Sequence, residues 1–87
     1  MKKSDTHKTK IVIIDWMDSS GNSGWQASED CKVQIALCQT VGYLVDETKD
    51  AFCLALSRTI TDGHRPYGDL ISIPKVAIKK VKLLATL

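Results

Sequence analysis

The apolar residues of this 87-residue chain come in short runs, each closed by turn formers, and that spacing leaves little room for a helix. The run Ile11-Val12-Ile13-Ile14-Asp15-Trp16-Met17 is rich in β-branched and aromatic side chains, which suit a pleated strand. Asp18-Ser19-Ser20-Gly21-Asn22-Ser23-Gly24 must then loop, because these residues accept positive φ or bond their own backbone. Trp25 follows and is expected to pin this loop onto the body of the domain, and Ser28-Glu29-Asp30 suits a single helical or 3₁₀ turn. Cys31, Val33, Ile35 and Leu37 alternate with Lys32 and Gln34 at the period of a strand. The run continues through Thr40-Val41-Gly42-Tyr43-Leu44-Val45, where the isolated glycine marks a bulge or bend. A bend at Gly42 lets one long strand serve both halves of a small barrel.

The second half repeats the scheme. Asp46-Glu47-Thr48-Lys49-Asp50 has hairpin length, and residues 51–57 return with Phe52, Leu54 and Leu56 on one face. Residues 61–69 form a second polar loop, and Leu70-Ile71-Ser72-Ile73 reads as a fourth strand, ended by Pro74, which has no N–H to give a ladder. A single turn over residues 75–78 leads into a fifth strand ending near Leu84. Alternation is imperfect there, so an amphipathic helix over residues 75–85 competes, though Val76, Ile78 and Val81 disfavour it. The pattern predicts a mainly all-β domain over residues 10–87, a five-stranded SH3-like or Sm-like barrel with a 3₁₀ turn before its last strand. Closure would remove exposed sheet edges. Residues 1–9 are expected to be a flexible basic arm.

Composition narrows the function classes. With 44% hydrophobic residues and a net charge of +2 the chain is not of the disordered type. A chain this short buries only ~60–65% of its unfolded surface, enough for one thin core and no separate cofactor domain. No apolar run reaches the ~18–20 residues of a membrane span, and Asp15 interrupts the first apolar run too early for a signal peptide, so the expectation is a cytoplasmic protein with no membrane contact. Cys31, Cys38 and Cys53 form no CxxC and meet no His pair, so they read as apolar fillers in a reducing compartment, with neither metal nor disulfide. Charge is divided. Residues 1–10 sum to +3, residues 11–69 to −5 and residues 70–87 to +4, which together make the +2.

At Ile14-Asp15-Trp16-Met17-Asp18-Ser19, Gly24-Trp25, Thr40-Val41-Gly42-Tyr43-Leu44-Val45, and Gly68-Asp69 through Ile73-Pro74-Lys75 to Ile78, the chain resembles a group of short uncharacterised bacteriophage and prophage proteins. The resemblance implies a phage-encoded accessory protein in the host cytoplasm and brings no catalytic motif. The ending Gly68-Asp69-x-x-x-Ile73-Pro74-x-x-x-Ile78 resembles the closing strand, 3₁₀ turn and strand of SH3-type barrels, without the acidic and aromatic groove pattern of peptide-binding members.

No constellation nominates an enzyme or a cofactor. Asp15 and Asp18 are three apart and converge only if the strand kinks between them, with further ligands needed from Asp62 or Asp69; the plainer roles are a solvated Asp15 and an Asp18 that opens the loop. Trp16 and Trp25 read first as core and loop anchors, each burying ~200 Å². Trp25 is the better candidate for a surface platform with Tyr43 or Tyr67. His64-Arg65-Pro66-Tyr67 offers imidazole, guanidinium and phenol in one loop, versatile contacts for a protein surface. The first expectation is thus a non-enzymatic module binding a host or phage protein, such as an inhibitor of a host factor, through Trp25, His64, Arg65, Tyr67 and Asp18. The alternative is nucleic-acid binding through Lys75, Lys79, Lys80 and Lys82 with the basic arm Lys2, Lys3, Lys8 and Lys10. Against it stands a pI of about 8.5, below the ~9 usual for strong binders. The apolar chain end, Val81, Leu83, Leu84 and Leu87, adds an expectation of self-association.

Overall fold

The computed structural model describes residues 9–19, 24–61 and 63–87; all of the expected arm except Thr9, together with residues 20–23 and Asp62, lies outside them. Five strands follow in order: β1 (Lys10–Ser19), β2 (Ile35–Glu47), β3 (Ala51–Arg58), β4 (Tyr67–Pro74) and β5 (Ile78–Thr86). Two 3₁₀ turns, Ser28–Asp30 and Lys75–Ala77, interrupt them. All five strands pair antiparallel in one sheet of order β4-β3-β2-β1-β5. The all-β expectation holds, and residues 78–86 are strand, not helix. Among the described residues no helix is long and apolar enough to cross a membrane.

Closure into a barrel does not occur: the sheet has two edges, β4 and β5, with no ladder between them. It is nonetheless strongly coiled. In a flat sheet the two edges would lie ~19 Å apart at ~4.8 Å per strand, whereas the step from residue 74 to residue 78 spans at most ~14 Å fully extended. The chain leaves one edge and enters the opposite edge through the three residues Lys75–Ala77, so the sheet must roll to bring them together. The Lys75 amide donates to the Asp50 carbonyl at 2.7 Å, which ties that turn to the β2–β3 hairpin.

Bulges supply the coiling. The β1–β5 register shifts between Ile11 and Val12 and again between Asp15 and Trp16, leaving Leu84 and Lys79 as the extra residues of β5. A third shift leaves Val45 as the extra residue of β2 opposite β3. Each extra residue raises the local twist. The two on β5 also explain why its sequence alternates imperfectly: Ile78, Val81 and Leu83 pair with Trp16, Ile14 and Val12, while Lys80 and Lys82 pair with Asp15 and Ile13 on the outer face.

The core sits inside the curl. Val12, Ile14, Leu54 and Ile73 are buried, and Trp16, Leu44, Phe52, Ile71 and Ile78 pack against them, so every strand contributes. Burying a side chain such as Ile14, Leu54 or Ile73 is worth ~1.5–3 kcal/mol, and few residues do so, as expected of a chain this short. Two strand starts and one side chain differ most from expectation. β2 begins at Ile35, four residues after Cys31; β4 begins at Tyr67, ahead of Leu70; and Leu56, expected beside Phe52 and Leu54, is exposed.

That exposure traces to Gly42. β2 keeps its ladder with β1 from Ile35 to Leu44, yet β3 pairs with β2 only from Tyr43 to Glu47. Beyond the Tyr43–Ala55 pair the β3–β4 hairpin parts from β2, and the continuous curvature that closure needs is lost. At the parting point a Cβ on Gly42 would lie 2.8 Å from the Ala55 carbonyl oxygen and 3.2 Å from Leu54 Cβ. The strand thus divides its service at this glycine, although the register shift itself falls at Val45. Replacing Gly42 by alanine presses a methyl against the Ala55 carbonyl and is expected to lower stability by ~1–3 kcal/mol, read as a lower urea midpoint at unchanged m-value.

Candidate interaction surface

In strand order the segment joining β1 to β2 and the loop joining β3 to β4 both lie opposite the hairpin at residues 48–50, but β3 parts from β2 at the Tyr43–Ala55 pair, well before β2 reaches Ile35. Within the first, Gly24 has a left-handed φ of 92° and the Ser28–Asp30 turn is closed by Asp30 N–H to Ala27 O at 2.9 Å and Cys31 N–H to Ser28 O at 3.2 Å. Its described side chains, from Trp25 to Gln34, face outward. Trp25 is 101% exposed and Val33 96%, so Trp25 does not pin the loop onto the sheet. The inner face nearby is already filled by Trp16, whose Nε1–H donates to Thr40 Oγ1 at 2.9 Å.

Apolar exposure continues into β2. Ile35, Leu37 and Val41 alternate along its outer face, Leu37 being 77% exposed, while Cys38 and Thr40 point to the half-buried side. Sequence reading recognised that alternation but not which side is wet. The larger side chains face outward because β1 places Trp16 and Ile14 opposite Cys38 and Thr40, where the smaller residues of β2 leave them room. Asp15 and Gln39 form the polar row of the outer face, the Gln39 amide donating to Asp15 Oδ1 at 2.8 Å. Asp18 is exposed and accepts the N–H of the next residue, Ser19, at 2.9 Å at the end of β1; the loop it was expected to open begins outside the described residues.

In the second loop Thr59 N–H donates to Pro66 O at 2.8 Å and closes the segment. His64 and Arg65 are exposed, and Tyr67 is the first residue of β4. Asp69 adopts a left-handed φ of 58°, a conformation tolerated by Asp better than by most residues. It lines an open cleft of about 490 Å³ between Gln39, Thr40 and Val41 of β2 and Leu56, Leu70 and Ile71 of the departing hairpin. Asp15 faces other clefts, one with Lys80 and Lys82 and one with Trp16 and Lys79. Asp15 and Asp69 therefore do not converge, and among the described residues no group of three His, Cys, Asp or Glu could hold a metal.

The lysines divide. Lys79, Lys80 and Lys82 are exposed along β5. Lys75 is withdrawn from that track: its Nζ lies 2.6 Å from Glu47 Oε2 and 4.9 Å from the centroid of the Phe52 ring. It fastens the 3₁₀ turn to the β2–β3 hairpin. Arg58, which sequence reading passed over, lies over the Tyr43 ring at 5.9 Å. Only the fold, by bringing β3 beside β2, makes that contact visible.

Comparison with known proteins adds no relative: no protein family, curated protein or solved structure matches the chain. The two tryptophans give a direct check of the surface. Trp25→Ala is expected to change stability by less than ~0.5 kcal/mol, whereas Trp16→Phe, which strands the Thr40 hydroxyl, costs ~1–2 kcal/mol in chemical denaturation. A loss of ~3 kcal/mol for Trp25→Ala would restore the loop-anchor role.

Proposed function

We propose that the protein is a non-enzymatic interaction module that binds a macromolecular partner, foremost another protein, through its loops. The observation that carries this reading is the complete exposure of Trp25, with Val33 eight residues further on, in a segment where nothing among the described residues covers them. Large aromatics are the commonest anchors of protein interfaces, and an uncovered one keeps apolar area in reserve for binding. His64, Arg65 and Tyr67, on the loop joining β3 to β4, and Asp18, at the base of the first segment, offer further polar contacts. The motif resemblance to bacteriophage and prophage proteins supports a phage-encoded accessory role in the host cytoplasm, with inhibition of a host factor as its simplest form. Support for an SH3-like or Sm-like small-barrel origin comes from the 3₁₀ turn between β4 and β5 and from β5 lying beside β1.

A photo-reactive amino acid placed at position 25 in producing cells should form a discrete adduct with one protein, and the same group at Lys49, on the opposite hairpin, should not. Equal labelling at both positions, or none at either, counts against the reading.

The run of exposed lysines on β5 favours nucleic acid as the second reading. Without Lys75 the track is reduced to Lys79, Lys80 and Lys82, and Asp15 pairs with Lys80 across the ladder. Fluorescent single- and double-stranded oligonucleotides titrated over salt decide between the two. Affinity that falls steeply with salt and vanishes in the Lys79→Ala, Lys80→Ala double variant would establish it; no binding at low salt removes it.

A further inference from the structure

β5 is an outermost strand of the sheet, paired with β1 on one side and with nothing on the other. Its chemistry is one-sided. Residues 70–87 hold four lysines, no acidic residue and no aromatic one. Lys75 is held by Glu47, but Lys79, Lys80 and Lys82 are exposed, and so is Lys10, which pairs with Thr86 across the β1–β5 ladder. Among the described residues no carboxylate comes within ion-pair distance of Lys10, Lys79, Lys80 or Lys82. Aliphatic side chains stand between these charges: Val81, Leu83, Leu84 and Leu87 are 42–59% exposed. The last of them is fastened to the sheet, since the Leu87 N–H donates to Thr9 O at 2.7 Å.

We infer that this edge rests on an anionic lipid surface. Its two kinds of side chain match the two layers of such a surface: ammonium groups meet the negative head groups, and aliphatic side chains enter the acyl boundary beneath them. The edge position matters. Leu84 lines the outer-face cleft with Lys80 and Lys82, while Val81 and Leu83 lie on the other face, opposite Ile14 and Val12. A plane that meets the strand edge-on touches both rows, and lysine stems are long enough to bring their charges to the head groups. Other occupants match only part of this surface. Nucleic acid would engage the lysines, leave the leucines uncovered and find no aromatic in residues 70–87 on which to stack a base. A strand added by another protein needs a regular ladder, which the extra residues Lys79 and Leu84 interrupt. A second copy would bring its own lysines to the contact. The expectation of no membrane contact rests on the lack of a spanning run, which does not bear on contact at a surface. The inference goes beyond the interaction-module reading, since it uses neither Trp25 nor the loops, and it gives the lysines of the nucleic-acid reading a different ligand.

The test co-sediments the full chain with vesicles of phosphatidylcholine alone or with about one quarter phosphatidylserine. Binding to the phosphatidylserine vesicles at low salt should be about tenfold tighter or more, and should weaken as salt rises. Lys80→Ala with Lys82→Ala should reduce it about tenfold or more. Leu84→Ser with Leu87→Ser, at exposed positions, should weaken vesicle binding about fivefold or more while keeping the strand signature in circular dichroism and leaving any oligonucleotide binding unchanged. Val81→Ser, measured in parallel, should act in the same direction, so the reading does not depend on one variant folding. No preference for phosphatidylserine at low salt overturns the inference, as does vesicle binding that folded aliphatic variants retain in full. Oligonucleotide binding without vesicle binding also overturns it and assigns the lysines to nucleic acid. Trp25→Ala should bind vesicles as the parent chain does, so failure here and failure of the protein-partner reading are told apart.

Discussion

Everything in this fold follows from the need to pass from one edge of a five-stranded sheet to the other in three residues. Pro74 ends β4 because it cannot extend a ladder, and Lys75–Ala77 turns once before Ile78 begins β5 beside β1. No flat sheet allows that step. The sheet must therefore coil, and the coil is what creates an inside. Val12, Ile14, Leu54 and Ile73 meet there although they come from strands that a flat arrangement would keep apart. Lys75 secures the turn with a backbone bond to Asp50 and a side chain held between Glu47 and Phe52. A lysine that composition assigns to a basic surface thus serves in holding the sheet rolled.

Coiling needs departures from regular pairing, and these are placed with economy. Val45, Lys79 and Leu84 are inserted as extra residues, and Gly42 lets the backbones of β2 and β3 approach at the last point of contact before they separate. The separation leaves the sheet open, leaves Leu56 and Leu70 exposed, and ends the ladder between β2 and β3 at Tyr43. A small domain with little apolar material cannot cover every face. Uncovered apolar side chains run from Trp25 to Val41, line the cleft between β2 and the departing hairpin, and recur at Val81, Leu83 and Leu84 on β5 between its lysines. The fully exposed Trp25 is what singles out the first of these for protein binding.

Much of the architecture was legible from residue order. Five strands, the turn after Pro74 and the importance of Gly42 all follow from local chemistry: β-branched runs, turn clusters, a proline without a donor and a glycine without a Cβ. Where the reading failed, the missing information was long-range. Trp25 was assigned to anchoring because a large aromatic beside a glycine-rich loop usually finds a core, but Trp16 and Thr40 had taken the available place. Ile35 and Leu37 were recognised as sharing a face, but which face is inward depends on what β1 sets opposite them. Lys75 looked equivalent to Lys79 and Lys80 until the hairpin acid came within 2.6 Å of it.

The sequence by itself determined the number and kind of elements, the thinness of the core and the divided charge, because each of these depends on residues close together in the chain. The tertiary structure alone decided which face of β2 is wet, which lysines are occupied, and that the sheet stays open on one flank. Those outcomes depend on pairs such as Gly42 with Ala55, Trp16 with Thr40 and Glu47 with Lys75, brought together only when the sheet rolls.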